Sequence, residues 1–127
     1  MIKPTKDIAM ATQEIASRFN ELAQQEKWFE IQDELFADNV RSIEPSNSPY
    51  LKYAEGKTSV RKKGLAWVAK IKEGHEVSTT VPVIAGNYFA VGRSFEITTV
   101  DFGRIKIEGI MLYEVKDGEI VSEQFFY

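Results

Sequence analysis

The 127-residue chain has no cysteine and a single histidine. The first absence excludes disulfide scaffolds, thiolate metal sites and cysteine nucleophiles. The second excludes the usual two- or three-histidine metal sites, so no metal is expected. No apolar run approaches the ~18 residues of a membrane span. Met1 to Met10, where Lys3, Lys6 and Asp7 interrupt the apolar residues, lacks the apolar core of a signal peptide. A dense basic face is missing too: the net charge is −3, and Arg61-Lys62-Lys63, with Lys57 and Lys70, reads as a solvated helix face. Neither nucleic acid nor membrane is expected as a partner. There is no glycine-rich phosphate loop and no serine in a nucleophile elbow, and no cofactor is expected. A chain without cysteine fits a reducing cytoplasm.

What is present is the balance of a globular protein: 43% hydrophobic and 28% charged residues in a length typical of one domain, residues 1–127. The first half has helical periodicity. Ile8, Ile15, Phe19 and Leu22, with Ala11, Ala16 and Ala23, form one stripe and predict a helix from about residue 6 to 25, capped by Thr5 or Asp7. Trp28, Ile31, Leu35 and Phe36 predict a second helix ending near Ala37-Asp38-Asn39. Val40 to Glu44 is a short strand, and Pro45 holds Glu44 extended. Val60, Gly64, Trp67 and Ile71 predict a third helix over about 57–72. Gly64 costs that helix up to about 1 kcal/mol against alanine, a loss that close approach to a neighbour would offset.

From Glu76 onward the period is two. Turns are expected at Ala85-Gly86-Asn87, Phe102-Gly103 and the tight hairpin Lys116-Asp117-Gly118. Helices followed by an antiparallel sheet give an α+β fold, with three helices on one face of a curved, mainly antiparallel meander. Such a cone has an interior wherever side chains do not fill it. Ile110 and Leu112 lie on the strand face opposite Met111 and Tyr113. That apolar outer face predicts a homodimer through the sheet.

This order of parts resembles the nuclear transport factor 2-like superfamily and, within it, the SnoaL-like proteins. The resemblance spans nearly the whole chain. It rests on Leu35-Phe36-Ala37-Asp38-Asn39-Val40, on Glu55-Gly56-Lys57 with Val60-Arg61, and on Tyr113 to Ile120. It implies the cone-shaped fold but no single function, because isomerases, cyclases, dehydratases, hydrolases and binding domains share it. The ketosteroid isomerases of this fold use a carboxylate base and an oxyanion hole made of a tyrosine and a protonated carboxylic acid. Ser42-Ile43-Glu44-Pro45 resembles the segment carrying their base. Arg18-Phe19-Asn20-Glu21-Leu22 resembles the segment carrying their tyrosine, here Phe19. The second acid falls at Ile110 or Met111, so both oxyanion donors are missing. One such donor is typically worth about 100- to 1000-fold in rate, which disfavours that mechanism.

Glu44 is the candidate general base, since a half-buried carboxylate can take protons near neutrality. The alternative is a glutamate paired with Arg41 or Arg93. The expected wall of the pocket is Phe19, Phe36, Trp67, Met111, Tyr113, Phe125 and Tyr127. Glu123 shares strand parity with Phe125 and Tyr127 and is either a pocket group or a rim residue. His75 reads as an exposed turn residue. A small, largely apolar molecule is the expected partner. An isomerase, cyclase or dehydratase is the alternative.

Overall fold

The computed structural model describes the backbone of residues 3–127 and the side chains of residues 11–127. The caps expected at Thr5 or Asp7, and Ile8 of the apolar stripe, lie outside the described side chains. Helix α1 (Lys3–Ala23) buries Thr12, Ala16, Phe19, Leu22 and Ala23, the expected face. It ends in a tight reversal in which Lys27 N–H bonds Leu22 O at 2.9 Å and Glu26 adopts a left-handed φ of 57°. A side chain other than glycine is strained there by about 1–2 kcal/mol. The Glu26 carboxylate offsets this by gripping Arg93 and the Trp28 indole N–H.

Helix α2 (Trp28–Leu35) stops short of the expected Ala37. Phe36 is already extended (φ −80°, ψ 136°) and opens strand β1 (Phe36–Ile43), where Phe36, Ala37 and Val40 bury their side chains. Pairing with the last strand outweighs the helical spacing that carried the prediction past Leu35. Helix α3 (Lys57–Lys70) follows a short strand β2 (Ala54–Glu55). It buries only Val60. A Cβ on Gly64 would come within 2.9 Å of the Phe29 ring, so the expected close approach of α3 to a neighbour exists, and the neighbour is α2.

Strand β3 (Ile71–Thr79) begins five residues before the expected Glu76, because Ile71 pairs with Thr99 across the sheet. After it come β4 (Val83–Ala85), β5 (Tyr88–Thr99), β6 (Gly103–Lys116) and β7 (Glu119–Phe126). The sheet order is β2-β1-β7-β6-β5-β3, with β4 on β5. All pairs are antiparallel except β1 with β7, so the curved sheet is mixed. The last hairpin turns on Asp117 (φ 53°) and Gly118 (φ 77°). Val115 then pairs with Ile120 while Glu114 pairs with Ser122. This bulge at Val121 shifts the inward face from even to odd residues. Ile120, Glu123 and Phe125 therefore all point to the interior side.

At the closed end, Phe19 sits 4.7 Å from Tyr113 and 5.1 Å from Phe89, and Phe89 stacks on Tyr113 at 5.0 Å. Phe36, Val40, Val60, Met111 and Ile120 complete the core. Among the described residues no helix is long and apolar enough to cross a membrane.

Candidate functional site

The other end is not filled. Between α2, α3, the loop after β1 and the inner face of β5–β7 lies a cavity of about 180 Å³. Trp28, Tyr50, Trp67, Phe95, Phe125 and Tyr127 give it an aromatic wall, and Met111 and Ile107 form its floor. Glu44 and Arg93 are its charged members. Of the residues expected in the wall, Trp67, Met111, Phe125, Tyr127 and Glu44 are there. Phe19, Phe36 and Tyr113 are not: each is packed into the closed-end core, where helix α1 and the strands leave no space. Glu123 is also off the wall, buried one layer behind it.

Glu44 is held where β1 ends. From Val40 onward the even residues of β1 face inward, so Val40 and Ser42 are fully buried and Glu44 follows them. Its side chain is 2% exposed. The partner is neither Arg41 nor Arg93. It is Lys63, whose ammonium stands 2.7 Å from Oε2. That approach lies outside hydrogen-bond geometry, which leaves Oε2 charge-compensated but without a hydrogen bond. Oε1 accepts from the Tyr127 hydroxyl at 2.6 Å. Tyr127 in turn accepts from Ser48 at 2.6 Å. Ser48 Oγ also accepts from the backbone of Tyr50 and Leu51, so one serine ties the cavity loop to the carboxylate. Burial, reinforced by the Glu44 carboxylate, holds the Tyr127 hydroxyl well above the usual phenol range.

Behind the wall the polar chain continues. Lys63 donates to Ser42 Oγ at 2.7 Å, and Ser42 donates to Glu123 Oε2 at 2.7 Å. Burial pushes the Glu123 carboxyl up to about 7, against the opposing pull of the Ser42 hydrogen bond and Lys63. Tyr113, directly opposite on β6, is raised well above its ordinary range by burial and by the Glu123 charge. On the far side of the cavity, Arg93 is clamped by both oxygens of Glu26 and lies 4.7 Å over the Trp28 ring. His75 bonds Thr98 at 2.7 Å on the outer strands, away from the cavity.

Lys63, expected on a solvated helix face, is turned inward onto Glu44, and Arg93, expected only as an alternative partner of Glu44, lines the cavity and pairs with Glu26 instead. Lys63 had a signal, being three residues after buried Val60 and four before Trp67, on the inner face of α3. Tyr50 and Leu51 carried none, because a loop has no period. On the outer face, Leu112, Ile43 and Tyr88 line a shallow hollow, while Ile110 is exposed beside the cavity mouth.

A SnoaL-like domain model matches residues 10–127. A Mesorhizobium loti protein, provisionally described as a SnoaL-like polyketide cyclase, is 32% identical, with a TM-score of 0.84 over 91% of this chain and 97% of that one. A Burkholderia pseudomallei protein, nuclear transport factor 2-like and of unknown function, is 16% identical, with a TM-score of 0.72 over 92% and 90%. A Catenulispora acidiphila protein with a ketosteroid isomerase-like fold, in complex with trimethylamine, is 17% identical, with a TM-score of 0.62 over 76% and 72%. No curated protein matches in sequence.

Proposed function

The chain belongs to the SnoaL-like domain family, and from that premise we propose that it binds a small, largely apolar molecule in the aromatic-walled cavity beside Glu44. One observation carries this reading: among the described residues, the cavity has six aromatic side chains around it and two charged ones. Both charges are already matched, by Lys63 and by Glu26. A ligand without charge therefore meets no unbalanced partner. Size narrows the class. Pockets for drug-sized ligands usually run about 300–1,000 Å³, whereas an apolar cavity of ~150 Å³ holds benzene. At about 180 Å³ this cavity fits a single ring. Trimethylamine, held by the distant Catenulispora relative, is of the same size class.

The protein's two tryptophans, Trp28 and Trp67, both line the cavity. Their fluorescence is therefore a direct reporter. Titration with toluene should give a saturable change, and Trp67→Leu should weaken it about tenfold. A linear, unsaturable response would contradict the reading.

A second reading makes the protein a cofactor-independent isomerase, cyclase or dehydratase with Glu44 as general base. Its support is the position of a nearly fully buried carboxylate on the cavity wall, with an oxygen that no hydrogen bond occupies. We place the protein in the cytoplasm, in keeping with its lack of cysteine. We also propose a homodimer through the outer sheet face, where Tyr88, Ile110 and Phe126 are exposed. A monomer by light scattering at micromolar concentration would refute the dimer.

A further inference from the structure

We propose that Glu123 holds the proton that Glu44 removes from a ligand, receiving it by way of Lys63 and Ser42. This rests on the reading of Glu44 as a base. Four side chains form one polar file from the cavity wall into the core: Glu44 and Lys63 meet as an ion pair at 2.7 Å, and Lys63, Ser42 and Glu123 are joined by hydrogen bonds of 2.7 Å each. Ser42 is fully buried and Glu123 is 8% exposed, so the far end is largely shielded from water. The donors all point the same way, from the ammonium to the hydroxyl and from the hydroxyl to the Glu123 carboxylate. A buried carboxylate costs stability unless it is paired, and among the described residues this one is hydrogen-bonded through that file, at Ser42.

The transfer balances. A ligand C–H gives its proton to the Glu44 carboxylate, and its electron pair stays on the ligand. Glu44 then passes the proton to Lys63 as Lys63 gives one of its own to Ser42 Oγ. Ser42 gives its hydroxyl proton to Glu123 Oε2. Glu44 ends as a carboxylate, Lys63 as an ammonium, Ser42 as a hydroxyl and Glu123 as a carboxylic acid. The four together gain one proton, so their summed charge goes from −1 to zero, and the negative charge they lose is the electron pair left on the ligand. The groups facing Glu123 suit this role. Lys63 from α3 and the Tyr113 hydroxyl from β6 favour its charged form, Glu44 opposes it, and Arg93 from β5 acts on Tyr113. Burial outweighs these, so Glu123 takes and releases a proton near neutrality. An ammonium has three equivalent hydrogens, so the hydrogen that returns to the ligand need not be the one removed.

That last point gives the test. Cyclohex-3-en-1-one, a single-ring ketone with an acidic C–H, is incubated with the protein in D₂O, and NMR follows both isomerisation and deuterium in the product. The wild type should incorporate deuterium, with a rate that falls as pH drops through about 7, where Glu123 fills with a proton. Glu123→Gln and Ser42→Ala should each lower incorporation about tenfold or more and remove that pH limb, with KM unchanged. Ser42→Thr should restore both. A purely structural role would leave the limb in place. Incorporation and pH profile that persist unchanged in Glu123→Gln and Ser42→Ala overturn the relay alone. Absence of any reaction with the wild type overturns the base reading and the relay together, while toluene binding would still stand.

Discussion

The two ends of this cone are built from the same materials and come out differently. At the closed end three rings, Phe19, Phe89 and Tyr113, lie with centroids 4.7–5.1 Å apart and leave no space. At the open end Tyr50 meets Phe102 at 5.0 Å but stands 6.1 Å from Trp67 and 6.4 Å from Tyr127, beside a cavity of about 180 Å³. Hydrophobicity does not separate them. The closed end is packed by α1, which buries Thr12, Ala16, Phe19, Leu22 and Ala23. The open end is roofed by α3, which buries one residue and leaves Leu65 and Val68 about half exposed. Its walls are also pinned by charge, at Glu44–Lys63 on one side and Arg93–Glu26 on the other. Ion pairs fix side chains at a set distance, and a wall held that way cannot collapse inward to fill the space. Emptiness at this end is thus a product of where the charges sit.

Substitutions can break that contrast in graded steps. The largest effect belongs to the closed end. Phe19→Ala should lower unfolding free energy by about 3–5 kcal/mol in urea titrations, because the packed rings around it cannot close the gap. A loss under about 1 kcal/mol would show that the core there is as yielding as the cavity.

Next comes the buried carboxyl between the two ends. Glu123 has a folded value near 7, above the ordinary carboxylate value of 4.5. The native state therefore binds more protons than the unfolded chain between those values, and stability falls as pH rises through them. Glu123→Gln removes this dependence. It should raise stability by roughly 3 kcal/mol at pH 8 relative to the wild type, with the gain vanishing below about pH 4.5. Parallel urea curves at the two pH values decide it. Equal differences at both would mean that Glu123 is not held neutral by burial.

A smaller effect on stability is expected at the open end. Trp67→Leu should cost less than about 1.5 kcal/mol, since Trp67 is only part-buried, while weakening toluene binding. Smallest of all is Gly64→Ala. Alanine favours the helix by about 1 kcal/mol, but its methyl would press the Phe29 ring at 2.9 Å. The ring is part-exposed and can shift, so the net change in melting temperature should be near zero.

The fold was legible because periodicity survives folding. The α1 stripe, the switch to period two and the Asp117-Gly118 turn all name elements that the structure contains. Boundaries were less legible. Phe36 and Ile71 fit the helical spacing of the residues before them, yet each is taken into a strand by a partner distant in sequence. Part of the cavity wall was legible by parity, since Met111 and Phe125 follow from which strand residues face inward, while Glu44 came from the resemblance of its segment to the isomerases' base. Phe19, Phe36 and Tyr113 face inward too, and neither helical spacing nor strand parity says at which end of the cone a side chain lies. Lys63 was hidden among Arg61 and Lys62, because a run of basic residues conceals the single one that the helix turns inward.

The central claim is that the open end is an apolar site for one small ring beside Glu44. A crystal structure of the protein soaked with toluene tests it most directly. The account predicts ring density against Trp67 and Phe125, with Glu44 still joined to Tyr127 and Lys63. A cavity filled by ordered water that hydrates Glu44, with no toluene in it, would contradict the account.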